Sequence, residues 1–253
     1  MKFSIGFRTL VWREIVRFLS VFTQTIFPPV VSSFLYIFIF GLSLGQRLQN
    51  VQGIPYLNFL IPGLLMMYVI ESSYANTSSS LFISRWANYI EELLVTPLSY
   101  FEMVFAILIG GLARSLVIAA GTYLVSLIFV RFPFAHPEIV LYFLIFVSLS
   151  FSSLGMIIAL FAEEFEHLSI ATTFVITPLI FFGGVFHSIH MMPAPLRWLT
   201  HFDPMFYMVN GMRYGMLCVS DVPVWNSMTV VFFLFGRARP LGDPDPRRAH
   251  FRR

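Results

Sequence analysis

The stretch NFLIPGLLMMYVIESSYANTSSSLFI at residues 58–83 runs directly into SRWANYIEELLVTPLSY at residues 84–100. The first stretch is apolar over the length of a membrane span, which needs about 20 mostly apolar residues. The second stretch carries charged side chains, and a further long apolar stretch follows it at residues 101–130. This order predicts two membrane-spanning helices joined by a short connection that faces water.

The connection has the pattern of a short amphipathic helix. Thr96-Pro97 ends the predicted helix, because proline has no backbone N–H and restricts the residue before it. The pattern predicts a surface on which a soluble partner docks, and a plain interfacial helix would show the same pattern. On a helical wheel the apolar stripe is Trp86, Tyr89, Ile90, Leu93 and Leu94, and the polar face is Arg85, Asn88, Glu91 and Glu92.

The composition excludes a soluble globular domain. The mean hydropathy is +0.79, and 57% of the residues are hydrophobic while 11% are charged. Three further stretches, at residues 21–45, 139–162 and 169–187, reach or approach the length of a span. A sixth begins near Trp225 and stops at Gly236. The sequence therefore predicts an all-α, polytopic bundle of six membrane spans, of which the sixth is incomplete.

The N-terminal segment predicts an interfacial helix and an orientation. Its basic residues lie opposite apolar ones, as in a helix that rests on an anionic leaflet. Glu14 interrupts the apolar face, so we expect it to contact protein. The positive-inside rule places the N-terminus, and with it the 84–100 connection, in the cytoplasm. The basic residues before the first span are Lys2, Arg8, Arg13 and Arg17.

Glu71 and Arg114 are the clear ionisable residues inside the predicted spans. At about 1.5 Å per residue, both lie roughly 18–20 Å from the 84–100 connection. Charges inside a membrane usually pair or line a wet cavity, so we expect an ion pair between these two. The alternative is that each snorkels separately. Asn76 lies in a polar stretch beside them, which we expect to face a dimer interior or a transport path.

The segment after Pro178 is too interrupted by glycine and proline to cross a bilayer. Gly183-Gly184 permits a break in the helix, and the aromatic residues that follow suit a membrane interface. The pattern predicts an extracellular re-entrant hairpin, and an ordinary aromatic belt would look similar. The aromatic residues are Trp198, Phe202, Phe206 and Tyr207.

Several kinds of active site are unsupported. The single lysine, Lys2, precludes a G-x-x-x-x-G-K-[ST] phosphate loop, so we predict no ATP hydrolysis by this chain. The G-x-S-x-G at residues 41–45 ends a predicted span, not a strand-to-helix turn. The net charge of +3 is modest, and no stripe of basic and aromatic residues is present, so we expect no binding of nucleic acid. Zinc ligands are conceivable, but no H-E-x-x-H or cysteine pair supports them. The conceivable ligands are His187, His190, His201 and Asp203.

These segments together resemble the membrane subunit of bacterial type-2 ABC exporters, in particular the YadH-like inner-membrane permeases. IEELLVTP at residues 90–97 resembles the coupling-helix region. DPMFYMVNGMRYG at residues 203–215 resembles the extracellular segment before the last span, where many relatives carry Asn in place of Asp203. The similarity runs from about Trp12 to Val224.

The resemblance implies a homodimer of six-span subunits in the bacterial inner membrane. ATP and magnesium would bind to a separate ATP-binding cassette subunit, and this chain would hold no cofactor. The alternative function is a self-contained secondary carrier or an intramembrane enzyme. We expect the partner to contact Arg85, Asn88, Glu91, Glu92, Leu94 and Pro97 in the region that resembles the coupling helix. From their position inside the spans, we expect Glu71, Asn76 and Arg114 to form the transport path or a buried pair.

The C-terminal residues depart from this pattern. The apolar run at residues 225–236 has a length of about 18 Å, well short of a hydrocarbon core of about 30 Å. Residues 237–253, RARPLGDPDPRRAHFRR, are rich in arginine and proline and cannot continue a span. We therefore expect a transporter domain at residues 1–236 and a disordered basic tail that results from a reading-frame change. The alternative is a short span whose basic tail snorkels to the headgroups.

Overall fold

The computed structural model describes residues 5–43, 50–131 and 134–237, and these are almost entirely helical. A two-stranded antiparallel hairpin, β1 (Asn50–Val51) and β2 (Ile54–Pro55), is the sheet formed within them. Its turn places Gln52 and Gly53 at positive φ. The prediction of an all-α membrane protein is confirmed.

The described residues in the first half of the chain form six helices. They are α1 (Ile5–Ser20), α2 (Phe22–Thr25), α3 (Phe27–Ser43), α4 (Tyr56–Trp86), α5 (Tyr89–Val95) and α6 (Tyr100–Ser126).

The second half continues with shorter helices after one long one. They are α7 (Pro137–Phe161), α8 (Phe165–Ala171), a π-helical turn (Thr172–Ile176), α9 (Thr177–Phe182), a 3-10 turn (Ile189–Met191), α10 (Ala194–Thr200), α11 (Pro204–Leu217) and α12 (Val224–Arg237).

Within the described ranges, five helical segments are long and apolar enough to cross a membrane. They lie within a few residues of five of the predicted spans: Phe22–Gly41, Tyr56–Trp86, Tyr100–Ser126, Pro137–Phe161 and Phe165–Phe182. The predicted sixth span corresponds to α12, whose 14 residues are too few for it to be among them. Apart from Arg237, the predicted basic tail lies outside the described residues.

The long helix α4 forms the centre of the bundle and packs against α6, α7 and α11. Small residues bring these helices close together. A Cβ atom at Gly155 of α7 would lie 2.6 Å from the carbonyl oxygen of Tyr74 in α4. At the same level, Thr77 donates a hydrogen bond to the carbonyl of Ser152 at 2.9 Å. Such small and hydroxyl-bearing residues are the usual means by which helices pack tightly in a membrane.

Two spans lie at the periphery. In the most apolar windows of the α2–α3 segment and of the α8–α9 segment, only 17% of the residues are buried, against 83% in α4. Phe38 and Ile39 of α3, and Phe174 and Val175 of the π-helical turn, are large apolar side chains that remain exposed. The chain therefore has a packed centre and two spans with uncovered apolar faces.

The N-terminal helix α1 packs along α6 and buries Phe7, Leu10 and Phe18 of its apolar face against protein, whereas the sequence predicted that this face rests on the leaflet. Gly6 approaches Leu98 just before α6, and the Cβ of Glu14 lies against Gly110 further along that helix. Glu14 is completely buried, which confirms that it contacts protein.

Candidate functional site

The connection between α4 and α6 folds as the predicted short helix. Asn88 adopts a left-handed conformation, with φ of 59°, and turns the chain into α5; asparagine is among the residues that tolerate this region. Thr96 is extended and Pro97 follows it, so the helix ends where the sequence predicts. Ser99 and Glu102 then form a capping box that starts α6.

The outward face of α5 is acidic and partly aromatic. Glu91 and Glu92 are exposed in its first turn, where carboxylates interact favourably with the helix dipole. The predicted apolar stripe is only half covered. Ile90 and Leu93 pack against buried residues, whereas Trp86 and Tyr89 remain 76% and 54% exposed. The side chain of Leu94 lies outside the described part of the structure.

Arg85 does not belong to the exposed polar face to which the wheel assigned it. Its Nη1 donates to the carbonyl oxygens of Ala159, Leu160 and Ala162 at 2.6, 2.8 and 3.4 Å. The last carbonyls of a helix lack partners within that helix, and a cation there also complements the helix dipole. Arg85 therefore fastens the α4–α5 turn to the end of α7. The wheel could not show this, because the contact is with a distant helix.

The exposed carboxylates of α5 have counterparts at the neighbouring α7–α8 connection. Glu163, Glu164 and Glu166 are all exposed there, next to the carbonyls that Arg85 contacts. Their exposure indicates a solvated turn.

The predicted ion pair between Glu71 and Arg114 is not made. The Nη2 of Arg114 donates instead to the carbonyl of Thr25 at 3.4 Å, and its Nε is buried without a hydrogen-bond partner among the described residues. Glu71 is half-buried and has no hydrogen bond or ion pair with any residue that the structure describes. Matching depth along two helices does not make two side chains point at each other, and Arg114 points at the end of α2.

A different group of charged residues is buried at the end of the bundle that carries α5. We call it the Glu14 cluster and define it as Glu14, Arg13, Arg17 and Ser80. Arg13 and Arg17 approach the Glu14 carboxylate at 3.1 and 3.3 Å, and Ser80 donates to it at 2.7 Å. Arg17 also donates to the backbone carbonyl and side-chain oxygen of Asn76, at 3.0 and 3.1 Å. An acidic residue on the apolar face of an otherwise basic helix was the sequence signal for this cluster.

The polar stretch of α4 lies inside the protein. Asn76 is fully buried and its neighbours are buried or nearly so, packed against α1, α6 and α7 within the same chain. They are covered by their own chain and so avoid lipid, as predicted; that they line a dimer interior or a transport path stays a prediction. The buried neighbours are Ser72, Ser73, Thr77 and Ser78.

A second charge cluster lies at the other end of the bundle, and sequence reasoning missed it. We define the Arg213 cluster as Arg213, Asp221, Ser188 and Gln52. Arg213 pairs with Asp221 at 3.3 Å, and both side chains are 1% exposed. Ser188 donates to Asp221 at 2.7 Å, and Gln52 of the β1–β2 turn donates to the same oxygen. The cluster thereby joins three segments that are far apart in sequence.

Arg213 makes further contacts with residues outside the cluster. Arg213 donates to the carbonyl of Gly184 at 2.8 Å, and its guanidinium lies 3.7 Å from the centroid of the Phe59 ring.

The pKa of His187 is lowered, first by burial and then by Arg213, while Asp221 opposes the shift. The nearby Asp203 caps α11 through the backbone N–H of Met205, and burial raises its pKa to about 6.

Among the described residues, no group of three or more histidine, cysteine, aspartate or glutamate side chains has an arrangement that could hold a metal ion. His201 instead hydrogen bonds to the carbonyl of Arg197 at 2.9 Å. His190 lies 3.7 Å from Asp221. The conceivable zinc ligands of the sequence are therefore not brought together.

The sequence is similar to known membrane proteins over most of its length. The profile of the family described as ABC-2 type transporter matches residues 6–217, which run from the second residue of α1 to the end of α11. The chain is 38% identical over 222 residues to the inner membrane transport permease YadH of Escherichia coli (strain K12), covering 87% of each protein. It is 25% identical over 214 residues to nodulation protein J of Rhizobium meliloti (strain 1021), covering 82% of this chain and 80% of the relative. These findings confirm the resemblance seen in the sequence motifs.

Proposed function

Because the chain belongs to the ABC-2 type transporter family, we propose that it is the permease subunit of an ATP-driven exporter in the bacterial inner membrane. In this proposal two copies form the substrate path, and a separate ATP-binding cassette subunit hydrolyses ATP. The observation that carries the proposal is α5, a short helix with exposed carboxylates between the two central spans α4 and α6.

The connections of α5 suit it to transmit a force from a partner. The left-handed Asn88 joins it to α4 by a tight turn, and the Ser99–Glu102 capping box begins α6 four residues after α5 ends. Arg85 holds the same turn against the end of α7. A displacement of α5 would therefore move α4, α6 and α7 together, which is what coupling to a motor requires.

The surface offered to the partner is acidic with an aromatic part. Asn88, Glu91 and Glu92 are exposed on α5, and Trp86 and Tyr89 lie beside them without cover. We propose that the partner presents basic side chains to this surface, because complementary charge governs which surfaces associate and in which register. Arg85 supports the surface from behind.

The peripheral spans suit contact with a second copy. The exposed apolar faces of α3 and of the α8–α9 segment face either lipid or another protomer, and the proposal assigns part of them to a homodimer. Of the residues predicted for the transport path, Glu71 keeps that role in the proposal, because it is half-buried and has no ion pair or hydrogen bond among the described residues. Asn76 and Arg114 are assigned to the packing of α1 and α2.

The orientation belongs to the same proposal. A cytoplasmic N-terminus places α5 and the Glu14 cluster on the cytoplasmic side, where an ATP-binding subunit is found. The Arg213 cluster and α10 then lie on the outer side.

The test is co-purification and ATP hydrolysis. The chain is produced with the ATP-binding subunit of its own bacterium, and the complex is reconstituted in liposomes. We expect Glu91→Ala/Glu92→Ala to leave the amount of folded permease unchanged and to weaken stimulation of ATP hydrolysis about tenfold, because two exposed charge pairs are worth up to about 1 kcal/mol each and a tenfold change corresponds to about 1.4 kcal/mol. Glu138→Ala, which removes an exposed carboxylate at the start of α7, is the matched control.

Two outcomes would contradict the proposal. Unchanged stimulation in the double variant would remove the docking role of α5. Substrate movement by the permease alone, driven by an ion gradient and without any ATPase in the preparation, would favour the secondary carrier.

A further inference from the structure

A groove of about 530 Å³ lies between α1 and the junction of α4 with α5. One part of its wall is apolar, with Val16 and Ile83, and another part is polar, with Arg13, Arg17 and Ser84. The aromatic rings of Trp12 and Tyr89 lie along it, and both are more than half exposed. The groove thus combines an apolar surface with a cationic one.

The positive charge in the groove exceeds the negative charge. Two guanidinium groups share the single carboxylate of Glu14, which leaves one net positive charge. The hydrogen bonds found among the described residues use one nitrogen of Arg13 and two of Arg17. Each guanidinium carries five N–H donors, so several remain free to bind an anion. The Arg13 side chain is 45% exposed and faces the groove.

The position of the groove matches the headgroup region of a bilayer. Helix α4 has 31 residues, a length of about 46 Å, whereas the hydrocarbon core is about 30 Å thick. A helix of this length that is centred in the bilayer extends about 8 Å beyond the core at each end. Ser80, Ile83 and Ser84 lie in its last two turns, at the end that joins α5. Tryptophan and tyrosine are enriched at this depth in membrane proteins.

We propose that this groove binds an anionic phospholipid, whose phosphate pairs with Arg13 and Arg17 while its acyl chain lies on Val16 and Ile83. Phosphate is a preferred partner of the guanidinium group, because the two can form parallel hydrogen bonds. The bound lipid contacts α1 on one side and Tyr89 of α5 on the other. It therefore stabilises the position of α5 against the bundle. The proposal does not depend on the identity of the soluble partner.

The first test measures lipid binding to the purified full-length chain by native mass spectrometry. Detergent-solubilised protein is titrated with phosphatidylglycerol, and in parallel with phosphatidylcholine, whose headgroup is neutral overall. We expect one tightly retained phosphatidylglycerol per chain. Arg13→Gln should weaken its binding about fivefold, since one basic residue near a membrane surface is worth about 1 kcal/mol.

Arg8→Gln is the matched control, because Arg8 lies on the same helix but lines a different groove. It should leave phosphatidylglycerol binding unchanged. An equal loss in Arg8→Gln and Arg13→Gln would show that only the net charge of α1 matters, and it would overturn the proposal. Equal retention of phosphatidylcholine and phosphatidylglycerol would overturn it as well.

A steric variant tests the acyl-chain part without changing charge. Val16→Trp should fill the groove along its apolar wall and weaken phosphatidylglycerol binding at least as much as Arg13→Gln does. Ile5→Trp, which lies in the other groove, should have no effect. Thermal unfolding of each variant establishes that it is folded. No effect of Val16→Trp, or displacement of the lipid by inorganic phosphate alone, would show that a free anion and not a lipid is recognised.

Discussion

The Glu14 cluster and the Arg213 cluster both bury a carboxylate beside arginine, but they differ in their access to water. In the Arg213 cluster both charged side chains are 1% exposed, and Asp221 also accepts hydrogen bonds from Ser188 and Gln52. In the Glu14 cluster only the carboxylate is sealed, while Arg13 and Arg17 are 45% and 32% exposed. The first cluster suits a fixed structural contact, and the second can still bind a ligand.

This difference predicts how each end of the molecule responds to change. When a fully buried pair loses one member, the other charge is left without water or partner, at a cost of about 3–5 kcal/mol. When the remaining charges reach solvent, water replaces the lost partner and the cost is smaller. The stability of variants therefore tests whether the two clusters are as different as their exposure indicates.

The largest effect is expected at Asp221. Asp221→Ala leaves Arg213 buried and unpaired, and we expect it to lower the free energy of unfolding by about 3–5 kcal/mol. Thermal unfolding in detergent measures this loss. Glu138→Ala, which removes an exposed carboxylate, should change the stability by less than about 0.5 kcal/mol. Equal losses in the two variants would mean that the Arg213 cluster contributes little.

The next largest effect on stability is expected at Asp203. Among the described residues, one of its carboxylate oxygens is buried without a hydrogen-bond partner. Its pKa in the folded protein is about 6, above an ordinary value of about 3.9. The folded state therefore holds this proton more tightly, and stability falls as pH rises through the window from about 4 to 6.

Asp203→Asn keeps an oxygen that can accept from Met205 and removes the ionisation. We expect the variant to match the parent protein near pH 4 and to be more stable at pH 8, by at most about 3 kcal/mol. Unfolding measured across this pH range tests the expectation. A parent protein whose stability does not fall between these pH values, or a variant less stable at pH 8, would contradict it.

A smaller effect is expected at Glu14. Glu14→Ala releases two arginines that can turn toward water, so we expect a loss of about 2 kcal/mol, mainly from Ser80 and from packing against Gly110. The same unfolding assay applies, with Thr9→Ala on the exposed side of α1 as the control. A loss as large as that of Asp221→Ala would remove the distinction between the two clusters.

The smallest effect on stability is expected at the surface of α5. Glu91→Ala/Glu92→Ala removes exposed carboxylates, so the free energy of unfolding should change by less than about 1 kcal/mol. The same substitutions are expected to weaken coupling to ATP hydrolysis. A large loss of stability would mean that these residues hold the fold, and their effect on coupling would then need another explanation.

The sequence predicts the elements whose signal is local. Five spans follow from apolar length, and α5 follows from an amphipathic pattern that ends at Pro97. The pairing of charges does not follow, because it depends on how each helix is rotated about its axis. Glu71 and Arg114 have matching depth and do not meet, while Arg17 contacts Asn76, 59 positions away. Gln52 and Asp221 are 169 positions apart, and no periodic pattern connects them.

The central claim, that α5 contacts the ATP-binding subunit, is tested most directly by cross-linking. A photo-reactive amino acid is placed at position 92 on α5 or at position 198 on α10, where the native Glu92 and Trp198 are both exposed. The two variants are compared in membranes that contain the complete complex. We predict a cross-link to the ATP-binding subunit from position 92 and none from position 198. A cross-link from position 198 alone, or none from position 92 in a complex that still co-purifies, would contradict the claim.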